Sequence, residues 1–428
     1  MNRNRIRLVF LMALIFSLPV SAFAAKVQST DSAVDVSGQP LSPAVDSSTG
    51  SAATPVRAQT DTVTAVSRQI TPSTYVTIDP RIELIAVVAL LSGYGDRTGL
   101  INTDKTSYLA DVEAYFARFK EHQAVRLFTE IGTANELGFD HDAPPAMMLH
   151  LSPPPQLDVV APFDDAPADI QMIVRRAGGR ERLYALIDAL RTFARDSDFG
   201  AFYKAHNEAY SKMIDRYVES LGNCDYAGAL EQYHGRRFHS CTTIPAPLFR
   251  RGSYGTCITR PDGSMDVYCI SEAMLPIRNG LPSFGSGEIV RYLCWHEWGH
   301  LFVNAVLTEH QAELAKYYSL FEPVTDGMRD QDYDMGVIVL LESVDRAVHV
   351  RLTTREIGPQ EGEAQLELEV ERGFFLVPAL CKRLEEYEEN RDKYPTFESF
   401  FPRLLSVFEE AAAKRAEPDI SSTAAEHK

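Results

Sequence analysis

Positive charge is scarce in this sequence. Against 59 Asp and Glu it carries only 42 Lys and Arg, a formal net charge of −17. Phosphates repel so acidic a chain, so nucleic acid and anionic membrane are not expected partners. No C-x-x-C occurs, so neither a zinc ribbon nor a thioredoxin-like redox site is indicated. Gly252-Ser253-Tyr254-Gly255 is not a G-x-S-x-G nucleophile elbow, and Gly285-Ser286-Gly287 lacks the lysine of a P-loop. There is no internal repeat. Past the first two dozen residues, no apolar run reaches the roughly 20 residues a membrane helix needs. What remains is ordinary globular composition: 428 residues, 45% hydrophobic and 24% charged, enough for one large domain or two ordinary ones.

The N-terminus reads as a secretory signal over residues 1–24. Arg3, Arg5 and Arg7 give a positive start, Leu8 to Leu18 an apolar run, and Ala22-Phe23-Ala24 a small-residue cleavage site. The expectation is export to the periplasm or beyond, with no stable membrane insertion once the signal is removed. Residues 25–74 are rich in Ser, Thr, Ala, Val, Pro and Asp and have few large apolar groups, so they read as a disordered linker. The folded domain is then 75–417, with a flexible tail over 418–428.

Export makes disulfides feasible, and all six cysteines lie beyond the middle of the chain. The stretch Cys257 to Cys269 reads as a hairpin around Asp262-Gly263-Ser264. A three-residue loop there would set Cys257 opposite Cys269, an expected bridge.

Helical spacing marks Arg81 to Ser92, then a helix capped by Asp104 or Thr106. The Pro-rich stretch 140–165 reads as loop, and Ala166 to Gly222 as two amphipathic helices. Strand signals gather in 244–285. Helices follow over Glu288 to Tyr318 (with a break near Thr308), Tyr333 to Thr354, Phe374 to Asn390 and Phe397 to Arg415. Helices, a small sheet, then helices predict a mainly helical α+β domain with the sheet before the 288–318 helix.

That helix carries His296-Glu297-Trp298-Gly299-His300. Histidines at i and i+4 stand one turn apart on one face, so both imidazoles can reach one Zn²⁺. The intervening Glu297 is then placed as a general base for water, the chemistry of an H-E-x-x-H metallopeptidase. Ile289 to Val303 is almost wholly apolar, so these polar groups sit in a buried helix. A hydrogen-bonded pair of core histidines is the plainer alternative.

A catalytic zinc needs a third protein ligand. The metzincin extension fails, because positions 303 and 306 are both valine. Glu342, the first acid after a run of apolar residues, is the leading candidate and would complete a His₂Glu set of the gluzincin kind. Its competing explanation is an ion pair with Arg346 one turn on. Glu309 and Asp326 stay open as third ligands, whereas His310 sits on a polar face. Asp345 is a candidate to hold a histidine ring N–H, with Arg346 beside it. His349, Arg346 and Tyr394 are candidates to stabilise an oxyanion. Val267 to Ala273, or Met274 to Ile277, could be an edge strand for an extended substrate. Asp140-His141-Asp142 has ligand chemistry but lies in a Pro-rich turn.

On these residues, the chain from about 77 to 405 resembles an uncharacterised bacterial family of exported H-E-x-x-H proteins. The resemblance rests on Ile82-Glu83-Leu84, the Tyr115-Phe116 to His122 segment, the motif helix, and Glu342 followed by Arg346-Ala347. It implies a zincin-like fold and metallopeptidase activity. Better-known gluzincins read E-x-x-x-D, whereas here the Asp is at +3. The function expected is an exported zinc-dependent hydrolase acting on a peptide or protein substrate. The alternative is a zincin-like cell-envelope binding protein that turns nothing over.

Overall fold

The computed structural model describes residues 61–134, 138–163, 168–250, 253–331 and 333–416. The expected signal segment, most of the expected linker and the expected tail lie outside these residues. The chain divides into two compact units. The first spans residues up to Gly222 together with Ser240–Val290, and the second spans Asn223–His239 with everything from Arg291.

The first unit holds all seven strands found among the described residues. They are β1 (Val66–Gln69), β2 (Thr74–Ile78), β3 (Ser240–Ala246), β4 (Tyr254–Thr259), β5 (Met265–Glu272), β6 (Met274–Arg278) and β7 (Leu281–Ser283). Five of them form a mixed sheet in the order β1-β2-β3-β5-β4, with β6 and β7 as a separate antiparallel ribbon. β2, β3 and β5 run parallel; β1 and β4 flank them antiparallel. β2 is almost wholly buried, whereas β1 turns Ser67, Arg68 and Gln69 to solvent, as an edge strand should. The expected linker over residues 25–74 thus overlaps β1, a short and mostly polar edge strand.

After β2 the chain turns directly into the helix Pro80–Ser92. The Asp79 side chain accepts from the Arg81 N–H, Pro80 takes the first turn, and Gly93 closes the helix at φ 63°. Thr106, not Asp104, caps the helix Ser107–Phe116. The Pro-rich stretch is not all loop: Ala143–Leu149 is helical, with Pro144 and Pro145 in its first turn, where they displace no internal hydrogen bond. The segment read as two helices is four, Ala168–Arg176, Arg180–Asp196, Phe199–Ala205 and Asn207–Leu221. Left-handed backbone at Gly178, Gly179 and Asp198 makes two of the breaks.

The β4–β5 hairpin corrects the expected disulfide. Asp262 accepts from the Ser264 N–H, and Arg260 N–H bonds to the Ser264 carbonyl. The last paired residues are therefore Thr259 and Met265, so Cys257 faces Val267 and Cys269 faces Gly255. At this register Cys257 and Cys269 stand on diagonal positions, not opposite each other as expected. β5 is an inner strand with β3 and β4 on its sides, so Val267 to Ala273 is not the edge expected for a substrate.

The second unit is helical throughout the described residues. It contains Tyr226–His234, the motif helix Gly287–Glu309 from Arg291 onward, Gln311–Leu314 and Glu322–Met328. The helices Gly336–Glu356, Pro359–Glu371, Val377–Glu389 and Phe397–Ala416 follow. The long helix ends at Glu309, so the expected break falls one residue after Thr308. The Gly336–Glu356 helix lies at the centre, packed on the two helices that follow it. Every residue of it from Gly336 to Val350 is buried, as is the motif helix from Tyr292 to Asn304. Such helices show no amphipathic stripe because neighbours cover them on all sides. No helix among the described residues is long and apolar enough to cross a membrane.

Candidate metal centre

Two buried helices of the second unit each carry a polar interruption, and the interruptions meet. His296 and His300 come from the motif helix and Glu342 from the Gly336–Glu356 helix; none is more than 4% exposed. The Nε2 atoms of the two histidines are 3.3 Å apart. Glu342 Oε1 is 3.3 Å from His300 Nε2, and its Oε2 is 3.7 Å from His296 Nε2. Metal–ligand bonds of about 2.0–2.1 Å at tetrahedral angles put ligand atoms about 3.3 Å apart. One donor atom from each of the three residues lies within 4.8 Å of the others, so this group can hold a metal ion.

The surrounding charges act on the two histidines in opposite senses. Burial, reinforced by the positive charges of His300 and Arg346, holds His296 well below the usual imidazole range, so it is neutral. Its Nδ1 lies 2.8 Å from Asp345 Oδ2. The two atoms are close but not aligned as a hydrogen bond, so Asp345 stands beside the His296 ring without a hydrogen bond that would fix its tautomer. His300 responds in the opposite sense. Burial opposes its charge, yet Asp345 and Glu342 outweigh burial and push it up to about 10. Burial would raise the Glu342 carboxyl too, but His300 and Arg346 keep it below the ordinary value. Asp345 is pushed up to about 7 by burial, with His300 pulling against that and Glu342 adding to it.

Gly299 faces the Asp345 carboxylate. A Cβ there would stand 2.5 Å from Asp345 Oδ1, so a side chain would evict the carboxylate from His296. The second variable position of the motif is therefore constrained by the partner helix.

Glu342 does form the ion pair with Arg346, at 3.0 Å, and sits in the donor group as well. The two explanations are not exclusive, because each oxygen has its own neighbour. Arg346 is 1% exposed and also reaches Glu369 at 2.7 Å, the Tyr292 hydroxyl at 2.6 Å and the Tyr333 hydroxyl at 2.6 Å. It therefore braces the two carboxylates from a fully buried position. The Tyr333 hydroxyl lies 3.4 Å from Glu342 Oε2.

Other expected residues fall elsewhere. His349 is buried edge-on to Tyr292 and Trp295, and burial with the Arg346 charge pushes it down to about 3. It is neutral and is not one of the three convergent donors. Tyr394 packs against Phe400 in the turn before the last helix, under Lys393, and is not in this group. Glu309 is exposed, and Asp326, 90% exposed, pairs with Arg329, so neither joins the histidines. Asp140 and Asp142 both bind Arg176, which makes their turn a structural one. Glu297 is buried beside His296 on the motif helix.

Tyr292, Tyr333 and Glu369 were not foreseen. Tyr292 had a signal: it lies one turn before His296 on the same face and stacks on it at 5.3 Å. Tyr333 comes from the loop before the Glu342 helix. Glu369 comes from a helix with acids at 361, 363, 367, 369 and 371, where spacing alone marks none of them as buried.

No curated protein and no solved structure matches this chain. A family model does match, over residues 74–407, from the start of β2 into the last helix. The chain therefore belongs to the family described as Domain of unknown function (DUF4932).

Proposed function

We propose that this protein is an exported, zinc-dependent hydrolase, most closely a peptidase of the gluzincin kind. The observation that carries the reading is the convergence of His296, His300 and Glu342, one donor atom of each within 4.8 Å of the others, between two buried helices. Two imidazoles and a carboxylate suit zinc, and a buried group of this composition has few other purposes. Export rests on the positive, apolar and small-residue pattern of residues 1–24.

Zinc bound there would supply Lewis acidity to a substrate carbonyl and make water more acidic. The chain's own groups do the rest. His296, His300 and Glu342 would hold the ion, with Asp345 beside the His296 ring. Glu297 takes a proton from the attacking water and returns it to the leaving amine nitrogen, as the C–O bond forms and the C–N bond breaks.

The test uses the chain from residue 25, purified without chelator, with Glu297→Gln beside it. The expected result is about one zinc per chain in both. A peptide library should be cleaved by the parent, with a rate at least about 10²-fold lower in the variant. A parent that stays free of zinc when zinc is offered would overturn the reading. Zinc at full occupancy with no cleavage of any peptide would instead leave a binding protein.

A further inference from the structure

The geometry points to a positioning network, Glu369–Arg346–Tyr333, that holds the Glu342 carboxylate in the orientation needed to bind the metal. The inference rests on the zinc reading above and adds residues to it. Glu342 is divided in its contacts. Oε2 receives the Arg346 Nη2 at 3.0 Å and lies 3.4 Å from the Tyr333 hydroxyl, while Oε1 is turned toward His300 Nε2 at 3.3 Å. Two donors on one oxygen fix the plane of the carboxylate and so aim the other oxygen.

A bare Arg346–Glu342 pair would work against metal binding. A fully buried guanidinium with one carboxylate partner would draw that carboxylate's charge to itself. Here Arg346 has a second carboxylate, Glu369, at 2.7 Å, closer than Glu342. Glu369 is itself fastened: its Oε1 accepts from Gln365 at 2.5 Å, and Arg372 stands 3.7 Å from its Oε2. The guanidinium lies over the Phe374 ring at 4.3 Å, so its position does not depend on Glu342. Glu369 thus satisfies the arginine's charge and leaves Glu342 available to a metal, while Tyr333 limits the tilt of the carboxylate. None of the three touches a substrate in this scheme, and each acts through Glu342.

The experiment measures Zn²⁺ affinity by competition with a chromophoric chelator, and the visible absorption of the Co²⁺-loaded protein. It compares the parent with Glu369→Gln, Glu369→Asp and Tyr333→Phe. Residues around metal ligands typically govern affinity by about 10–100-fold. Glu369→Gln should weaken zinc by that factor and shift the Co²⁺ bands, with Glu369→Asp recovering part of both. Tyr333→Phe, which removes only a hydroxyl, should weaken zinc by up to about 10-fold with an unchanged far-ultraviolet circular dichroism spectrum. It decides the matter if Glu369→Gln does not fold. Parent-like affinity and Co²⁺ spectra in the folded variants would overturn the network while leaving the metal site standing. A parent that binds neither ion would overturn the zinc reading, and this inference with it.

Discussion

Each unit of this protein buries an acid within a polar cluster, and the two acids come to opposite ends. In the first unit Glu83, 1% exposed, receives the Tyr108 hydroxyl, which lies 2.8 Å from the hydroxyl of Tyr210. Burial raises its carboxyl to about 8, and the Tyr108 hydrogen bond only partly opposes this. Below that pH the acid keeps its proton, so it is a neutral hydrogen-bonding group. In the second unit Glu342 is fully buried as well, but His300 and Arg346 face it and hold its carboxyl below the ordinary value. Burial therefore does not make a carboxylate a ligand. Cationic neighbours keep it charged, and convergent lone pairs give the charge something to bind.

The sharpest way to break the comparison is to remove a convergent donor. His300→Ala should lower zinc from about one per chain to near zero and abolish any hydrolysis, as read by elemental analysis and peptide cleavage. An equivalent truncation in the first unit, Tyr210→Phe, should leave zinc content untouched.

Next is the acid itself. Glu342→Ala should remove zinc and also destabilise the fold by about 3 kcal/mol, the low end for a broken buried ion pair, because Glu369 still faces Arg346. Denaturant unfolding would measure this. A stability equal to the parent's would mean that Glu342 was not held as a charged group.

Glu83 supplies the pH-dependent counterpart. Its carboxyl rises from 4.5 to about 8 on folding. The folded state therefore binds the extra proton between these values, and the stability it contributes falls as pH rises through them. Glu83→Gln cannot ionise. Relative to the parent, its unfolding free energy should improve steadily from about pH 4.5 to about pH 8 and then level off, at up to about 1.4 kcal/mol per pH unit. A constant difference across that range would show that Glu83 is not protonated in the fold.

The smallest expected effect is from Gly299→Ala. The added methyl meets Asp345, and overpacking of this kind costs about 1–3 kcal/mol. Zinc should weaken as well, since His296 loses its carboxylate; a melting curve and a chelator titration would report the two separately.

Much of the site was legible because the signal was local. Two histidines and a glutamate inside an apolar helix, and one glutamate after Val337 to Leu341 in another, are anomalies that burial makes costly without a partner. What closes around them comes from chain far away in sequence. Glu369 sits among five acids on its helix, and Tyr333 lies in a loop, so neither stood out from the residues beside it. Tyr394 was an aromatic with no periodic context, and its packing on Phe400 is a tertiary matter. The helical α+β class was readable from segment order. β1 was not, because an edge strand of polar residues resembles a linker until its partner, β2, is known. The Cys257–Cys269 bridge failed on loop length: Asp262 closes its turn on Ser264 within a five-residue connection, which moves every pair in the hairpin by two.

Gly299 and Asp345 are, in effect, a single choice made on two helices. Fewer than three ångströms separate the carboxylate from where a methyl would be, so neither position can drift alone. Sequences related to this one should vary at these two sites together. Where a larger residue follows the tryptophan of the motif, the acid three residues after Glu342 should have become smaller or disappeared.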